Sequence, residues 1–339
     1  MKILSVVIVS CLLMISCQRS GSPEIVTADS TSIATDPLPS WNNTANKKTI
    51  VDFVTSVTAE GNPKFIPKKD RIAVFDNDGT LWCEQPLYFE VLYSIAATRE
   101  IGKEKHALIT KPEMKALVAG DMKTFLKSGE KGMMEAVAIS HTALSIEDFD
   151  KAAGTWLDTA IHKRFKKKYT ELTYKPMVEL LHYLRDKDFS VFIVSGGSTM
   201  FIRTFSEDAY GITPDNVIGT LFKGAFSQQD SSYDVSLKAE LFHNDDKEGK
   251  PVGIYQFIGR KPVLAFGNSD GDLQMLQWTS THTLPNLSLI LHHTDSVREY
   301  AYDRESRIGR LDKALTEGEQ KGWVIVDMKN DFAKIFSYE

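Results

Sequence analysis

Residues 72–81 read IAVFDNDGTL: an apolar run, then two aspartates one residue apart, then a glycine. The apolar run predicts a buried strand. Because side chains alternate along a strand, Asp76 and Asp78 should share one side while Asn77 points elsewhere. Gly79 permits the abrupt change of direction that follows. Two carboxylates this close repel each other, so we expect either a cation between them or a proton on one of them.

The composition is that of a globular protein, with 339 residues, 42% of them hydrophobic and 25% charged, and a formal net charge of −5. A chain of this length can bury a substantial core in one large domain or two moderate ones. Binding to nucleic acid normally requires a basic face, and the acidic balance gives no reason to expect one. We therefore predict no nucleic-acid partner, and the sequence carries no signal for an oligomeric state.

The first residues, MKILSVVIVSCLLMISC, have the features of an export signal: Lys2, an apolar stretch too short to span a membrane comfortably, and the small residue Ser16 before Cys17. This ending resembles the processing site of bacterial lipoproteins. The resemblance implies a signal peptide at 1–16, a lipid on Cys17 that anchors the chain to a membrane, and a location on the periplasmic side of the bacterial cell envelope. The alternative is an ordinary cleaved signal in which Cys17 has no special role. Residues 17–48, rich in Ser, Thr, Asp, Pro and Asn, predict a flexible tether.

The rest of the chain shows two kinds of pattern. Residues 86–168 have helical periodicity and almost no strand alternation, which predicts an inserted, all-helical cap domain. Residues 49–85 and 169–339 predict a catalytic core in which helices alternate with short apolar strands. After the first strand, further strands are predicted at 189–194, 262–266, 287–291 and 323–328. Short apolar strands separated by helices indicate an α/β fold, with a Rossmann-like parallel sheet covered by helices on both faces.

Polar and glycine residues follow three of these strands. They are Asp76 to Thr80 after the first strand, SGGS at 195–198 after the second, and GNSDGD at 267–272 after the strand at 262–266. Each segment alone is ordinary turn chemistry. In an open parallel sheet, however, ligands bind beyond the carboxyl ends of the strands, so the three together predict a polar site at that edge.

These segments resemble motifs I, II and IV of the haloacid dehalogenase superfamily, particularly its phosphoserine-phosphatase-like branch, which has a helical cap between motifs I and II. The resemblance implies a Mg²⁺-dependent phosphatase that acts on a small phosphorylated metabolite through an aspartyl-phosphate. Asp76 would be the nucleophile. Asp78, which the true dehalogenases lack, would be the general acid and base. The alternatives are a phosphotransferase, a phosphonate-cleaving enzyme, or an envelope binding protein with a decayed catalytic core.

The resemblance also implies how phosphate would be held. The groups expected to bind it are the hydroxyl of Ser195, the amides of Gly196 and Gly197, and the hydroxyl of Thr80. The family further uses a lysine at the start of a helix before motif IV, which neutralises charge on the nucleophile and the phosphate. Lys250 matches this position best, with Lys247 and Lys238 as alternatives.

The expected Mg²⁺ ligands are Asp76, the main-chain carbonyl of Asp78 and residues of the third loop, which is the GNSDGD segment at 267–272. Oxygen ligands suit this hard cation. Asn268 stands where the family has a metal-binding aspartate. Asp272 matches the closing aspartate of the motif and is a further candidate ligand or an orienting residue, and Asp270 lies close by. We expect Asn268→Asp to restore a carboxylate and to tighten metal binding.

Overall fold

The computed structural model describes residues 36–229 and 232–339, so the predicted signal peptide, Cys17 and most of the predicted tether lie outside the described residues. The strands are β1 (Ile72–Phe75), β2 (Ser190–Ser198), β3 (Val217–Gln229), β4 (Ser232–His243), β5 (Leu264–Gly267), β6 (Leu287–His292) and β7 (Val324–Asp327). They form one seven-stranded sheet in the order β4, β3, β2, β1, β5, β6, β7. All neighbours are parallel except β3 and β4, which are antiparallel.

Helices fill the connections between the strands. They are α1 (Ala45–Thr58), α2 (Phe89–Glu104), α3 (Pro112–Val118), α4 (Met122–Lys127), α5 (Gly129–Thr142), α6 (Ile146–Thr159), α7 (Lys175–Asp186), α8 (Thr199–Arg203), α9 (Ser206–Tyr210), α10 (Gly249–Ile258), α11 (Leu273–Ser280), α12 (Lys313–Lys321) and α13 (Met328–Asp331). In the described part of the chain, no helix is both long enough and apolar enough to cross a membrane.

The central strand β1 is buried on both faces, and its alternate residues enter two different hydrophobic clusters. Ile72 and Val74 belong to the cluster that contains Ile254 of α10 and Met275 of α11. Ala73 and Phe75 belong to the cluster that includes residues of α1, α7 and α8. Period-2 alternation therefore places helices on both sides of the sheet. The predicted Rossmann-like α/β fold is confirmed.

The interval between β1 and β2 is helical, as predicted. Helices α2 to α5 and their connections contribute to a cluster of their own, to which Met114 and Phe125 belong. Phe149 and Leu157 of α6 instead join the larger cluster under the sheet. The predicted cap at 86–168 is thus helical throughout its main elements, and its limits as a domain stay a prediction.

The predicted tether at 17–48 is wrong for its last part. Leu38 and Trp41 are buried, and α1 already begins at Ala45. The indole Nε1 of Trp41 donates to the Pro176 carbonyl at 2.9 Å, and its ring packs edge-on against Phe332. The polar residues around Leu38 and Trp41 led to the prediction of a tether. Burial of a large apolar side chain stabilises the folded chain by roughly 1.5–3 kcal/mol.

The sequence did not predict the hairpin formed by β3 and β4. This hairpin extends the sheet at one edge, and several of its apolar residues are exposed, among them Phe226 and Tyr233, whose rings stack. Because much of its surface faces solvent, the hairpin lacks the continuous apolar run that marks a buried parallel strand. Lys238, one of the alternative lysines, lies exposed on β4.

Candidate active site

The nucleophile and the lysine predicted from sequence meet at the carboxyl end of β1. Asp76 Oδ1 accepts a hydrogen bond of 2.6 Å from Lys250 Nζ. The same Nζ donates to the Val194 carbonyl of β2 at 2.7 Å and lies 2.8 Å from Asp272 Oδ1. Lys250 is in the first turn of α10 and its side chain is only 2% exposed. One ammonium group therefore connects the ends of β1 and β2 with the loop after β5.

Lys247 and Lys238 do not take this position. The Lys247 side chain is 61% exposed and pairs with Asp246 at the surface. Lys238 is exposed on the outer strand of the hairpin. Of the three candidate lysines, the structure brings Lys250 to the site.

Asp76 and Asp78 have raised pKa values, so ionisation of both is unfavourable without a further cation beside Lys250. Burial raises the pKa of Asp76 to about 8, and Asp272 adds to the rise. Burial also raises the pKa of Asp78 to about 7, with a contribution from Glu90. Burial alone would lower the pKa of Lys250, but Asp272 and Asp76 outweigh it and raise this pKa above its usual value. A further cation would favour the ionised forms of both carboxylates.

The turn after β1 is held by side chains around Gly79, which has φ of 72°. Asp78 Oδ1 accepts from Trp82 Nε1 at 2.7 Å, and the Gly79 carbonyl lies 2.7 Å from His293 Nε2. A Cβ at position 79 would lie 2.1 Å from Asn268 Nδ2, so no other residue fits. The positive φ and this close approach confirm the prediction that the chain turns at a required glycine.

The SGGS segment (195–198), predicted to follow the second strand, instead forms the last four residues of β2. Ser195 and Ser198 still pair with β3, with a shift of register between them, so the strand continues past the apolar run that marked it in the sequence. Within the SGGS segment, the Gly197 amide donates to Ser195 Oγ at 3.1 Å. The Gly196 carbonyl accepts from Thr220 Oγ1 at 2.8 Å, which fixes the peptide that follows Ser195. A Cβ at Gly197 would lie 3.6 Å from Asp78 Oδ2. The SGGS segment at the end of β2 therefore lies directly beside the turn after β1, as the predicted phosphate site requires.

The third loop separates the roles of its three candidate residues. Asp272 Oδ2 accepts from the amides of Asn268 and Ser269, both at 3.0 Å, while its Oδ1 lies beside Lys250. Asp270 Oδ1 accepts from the main-chain amides of Asp312 and Ala314 at the start of α12, so this carboxylate is engaged there and not with Asp76. The geometry favours the orienting role for Asp272, whose service as a direct metal ligand stays a prediction.

The oxygen donors around Thr80 fit a hard cation. Thr80 Oγ1 lies 3.2 Å from Asn268 Oδ1 and 3.4 Å from Asp76 Oδ2, so both oxygens are close to one buried hydroxyl. The Asp78 carbonyl accepts no hydrogen bond from the described residues. No group of three or more His, Cys, Asp or Glu in the described ranges has the arrangement of a metal site. The donor set here is instead a carboxylate, an amide oxygen and a main-chain carbonyl, all of which Mg²⁺ accepts.

Sequence reasoning missed a buried pair contributed by the helical insertion. Glu90 of α2 and His141 of α5 approach to 3.0 Å between Oε1 and Nε2. Both residues contact Ser198. The Ser198 amide donates to Glu90 Oε2 at 2.8 Å, and the Ser198 hydroxyl lies 2.8 Å from His141 Nε2. Burial would raise the pKa of Glu90, but the hydrogen bond from His141 lowers it below its usual value. No motif links two residues so far apart in sequence.

Comparison with known proteins gives a family match and a fold match. The family model described as haloacid dehalogenase-like hydrolase matches residues 73–277, which is more than half of the chain. No curated protein shows significant similarity to the chain.

Solved structures that resemble the chain do so at low sequence identity. A conserved, functionally unknown protein from Anaerococcus prevotii is 16% identical with a TM-score of 0.53, and the match covers 81% of this chain and 88% of that one. A protein of unknown function from Bordetella pertussis is 14% identical with a TM-score of 0.46, covering 76% and 98%. A phosphoserine phosphohydrolase-like protein from Francisella tularensis is 14% identical with a TM-score of 0.34, covering 74% and 98%. The Anaerococcus match supports the fold alone.

Proposed function

The chain belongs to the haloacid dehalogenase-like hydrolases, and from this premise we propose that it is a magnesium-dependent phosphatase that hydrolyses a small phosphomonoester. The observation that carries the proposal is the 2.6 Å contact between Asp76 Oδ1 and the buried Nζ of Lys250. It lies where the SGGS segment of β2 and the loop after β5 reach the end of β1. A carboxylate held beside a cation among converging oxygen donors is suited to attack the phosphorus of an anionic ester.

The reaction has two steps that Asp76 and Asp78 can perform. In the first, an oxygen of Asp76 attacks phosphorus, the P–O bond to the leaving group breaks, and Asp78 gives its proton to the leaving oxygen. In the second, water attacks the aspartyl-phosphate at phosphorus, Asp78 takes a proton from the water, and the P–O bond to Asp76 breaks. Because burial raises the pKa of Asp78 to about 7, both of its protonation states are accessible near neutral pH, as this double role requires.

Other residues would hold the phosphoryl group and limit its charge. The Ser195 hydroxyl and the Gly196 amide belong to the SGGS segment of β2, beside Asp78, where they can donate to phosphoryl oxygens. Lys250 neutralises Asp76, and Asp272 keeps the ammonium group in place. Mg²⁺ held by Asp76, Asn268 and the Asp78 carbonyl would neutralise charge on the phosphate during transfer.

The test is phosphate release from a panel of small phosphomonoesters, measured with Mg²⁺ and with EDTA. We expect release that requires Mg²⁺. Borohydride added during turnover reduces an aspartyl-phosphate to homoserine, and mass spectrometry should locate this change at Asp76. If no member of the panel is hydrolysed with Mg²⁺ present, or if the modification lies elsewhere, the proposal is contradicted.

The alternative activities can be examined in the same assay. Phosphotransfer and phosphonate cleavage use much of the same site, so acceptor alcohols and phosphonates added to the panel distinguish them from hydrolysis. A decayed, non-catalytic protein is the less supported alternative, because Asp76, Asp78, Ser195 and Lys250 all lie together at the strand ends. It would show no turnover on any substrate.

We further propose that the protein is exported and anchored to a membrane of the bacterial envelope through a lipid on Cys17. The support is the sequence pattern ending at Cys17. Two or more acyl chains anchor far more firmly than the reversible binding of one. Intact-mass analysis should find a lipidated Cys17 at the mature N-terminus, and Cys17→Ser should abolish the lipid. An unmodified mature N-terminus at another residue would contradict the proposal.

A further inference from the structure

Glu84, to which neither the sequence motifs nor the family match assigns a role, is buried against the third loop. Glu84 is only 1% exposed to solvent. Glu84 Oε1 accepts a hydrogen bond of 2.7 Å from Asn268 Nδ2 and another of 2.7 Å from the Tyr302 hydroxyl. The pair is enclosed by main chain, because a Cβ at Gly79 or at Gly309 would lie 2.3 Å or 1.9 Å from this oxygen.

The contact with Glu84 determines which way the Asn268 amide points. Because Oε1 is an acceptor, it requires the Nδ2 group of Asn268 on its side. Asn268 Oδ1 is then directed to Thr80, whose hydroxyl also lies near Asp76 Oδ2. The amide oxygen therefore faces the proposed metal ligands while the amide nitrogen is held by Glu84.

We propose that Glu84 is a positioning residue and that Glu84 and Asn268 together replace the single aspartate expected at position 268. This inference rests on the proposed magnesium-dependent function. The two side chains are a matched acceptor and donor, and the match directs Oδ1 toward the cation. An aspartate at 268 would set two acceptor oxygens against each other at the position of a 2.7 Å hydrogen bond.

The proposal reverses the expectation from sequence for Asn268→Asp. An aspartate at 268 has no N–H to donate to Glu84 Oε1, so the 2.7 Å contact survives only if one of the two carboxyl groups carries a proton. Without that proton the new side chain turns away from Glu84, and the oxygen that faces the metal is displaced. If position 84 is glutamine, its amide can donate to the aspartate and the hydrogen bond is restored with the donor and acceptor exchanged. The proposal thus predicts that one change harms metal binding and that a second change repairs it.

The experiment measures Mg²⁺ binding by isothermal titration calorimetry without substrate, for the wild type, Asn268→Asp, Glu84→Met, which removes the acceptor, and the double variant Asn268→Asp with Glu84→Gln. Each single change should weaken Mg²⁺ affinity by about 10-fold or more, as loss of a partner that orients a ligand commonly does. The double variant should return to the wild-type affinity or exceed it. Glu179→Gln is the matched control, because Glu179 bonds Ser40 away from the site and should leave Mg²⁺ affinity unchanged.

Melting curves in EDTA establish whether each variant folds. If Glu84→Met does not fold, Tyr302→Phe tests the same contact, because it removes the other donor to Glu84 Oε1 and should weaken Mg²⁺ affinity by about two-fold or more. Unchanged affinity in folded Glu84→Met or Tyr302→Phe overturns the proposal. Three other results also overturn it: a higher Mg²⁺ affinity in Asn268→Asp alone, a double variant whose Mg²⁺ affinity is no higher than that of the weaker single variant, and a wild type that binds no Mg²⁺.

Phosphatase assays on the same proteins separate the two proposals. Mg²⁺-dependent hydrolysis without the repair in the double variant contradicts the inference about Glu84 and leaves the proposed function standing. If the Mg²⁺ affinities follow the predicted pattern but no phosphomonoester is hydrolysed, the inference about Glu84 stands and the proposed function is contradicted.

Discussion

Two buried clusters of ionisable side chains lie near the SGGS segment of β2, and they differ in their ratio of acidic to basic groups. On the core side, Lys250 contacts both Asp76 and Asp272. On the side of the helical insertion, Glu90 faces His141 as one acid against one base. Both clusters are made of side chains that are almost entirely removed from water.

The difference shows which cluster needs a ligand. An acid paired with a base and hydrogen-bonded to main chain can remain buried without any further group. The core cluster has an excess of carboxylates, and an anionic phosphate would increase it. We therefore expect a cation to bind at the core cluster together with the substrate, whereas Glu90 and His141 already contact each other and Ser198.

The largest effect should come from removing the nucleophile on the core side. Asp76→Asn keeps the shape of the side chain but not its charge, so we expect turnover to fall by about 10⁴-fold or more with the fold retained. Phosphate release and thermal melting measure the two properties. Asp270→Asn is the control, because Asp270 bonds the start of α12 and not Asp76. Activity near the wild-type level in Asp76→Asn would remove this residue from the mechanism.

Removing the cation of the core cluster should destabilise the whole protein. Lys250→Met leaves Asp76 and Asp272 buried beside each other without a partner, and breaking such a pair typically costs about 3–5 kcal/mol of unfolding free energy. Urea denaturation measures this value. Lys247→Met is the matched control at an exposed lysine nearby, and it should change stability by less than about 0.5 kcal/mol. Equal stability of the two variants would contradict the central place given to Lys250.

Changing the proton donor should affect substrates unequally. Asp78→Asn should slow hydrolysis of alkyl phosphates by about 10³-fold, because an alkoxide leaving group needs a proton. Aryl phosphates, whose leaving groups need little protonation, should be slowed by only about 10-fold. Steady-state rates on one alkyl and one aryl substrate test this expectation. Losses of the same size on both would show that Asp78 is not the general acid of the first step.

The sequence predicted the core cluster because its members follow local patterns. Asp76 and Asp78 end an apolar strand, and Lys250 begins a helix at the expected place before motif IV. Strand ends of a parallel sheet meet at one edge, so local periodicity is enough to bring these residues together. The same reasoning recovered β1, β2, β5, β6 and β7 and helices on both faces of the sheet.

The other features depend on contacts that no local pattern encodes. Glu90 and His141 approach through the packing of α2 on α5, and Glu84 meets Asn268 only because the turn after β1 closes on the loop after β5. Trp41 was assigned to a tether because its neighbours are polar. The hairpin of β3 and β4 was missed because its residues are largely exposed. Tertiary contact and solvent exposure, which local sequence does not specify, decided each of these cases.

The smallest predicted effect concerns the balanced pair and its dependence on pH. The hydrogen bond from His141 lowers the pKa of Glu90 in the folded protein below the usual 4.5. A carboxyl with a lowered pKa contributes stability above its unfolded pKa and loses that contribution as the pH falls through its folded pKa. Besides His141, Glu90 faces the Ser198 amide, which donates to it, and two titratable groups, Asp78 and Tyr93, whose pKa values it raises.

Glu90→Gln should therefore reduce the unfolding free energy by about 1.5–3 kcal/mol near pH 7, the usual value of a hydrogen bond to a charged group. The difference from wild type should shrink as the pH falls below about 4.5, since the wild type then loses the same charge. Denaturation curves at several pH values measure it. Glu135→Gln is the control, because Glu135 pairs with Lys111 where both side chains are partly exposed, and exposed pairs contribute less than about 1 kcal/mol. If the stability difference between Glu90→Gln and the wild type does not shrink as the pH is lowered from 7 to well below about 4.5, the contact between Glu90 and His141 does not hold α2 and α5 on the end of β2.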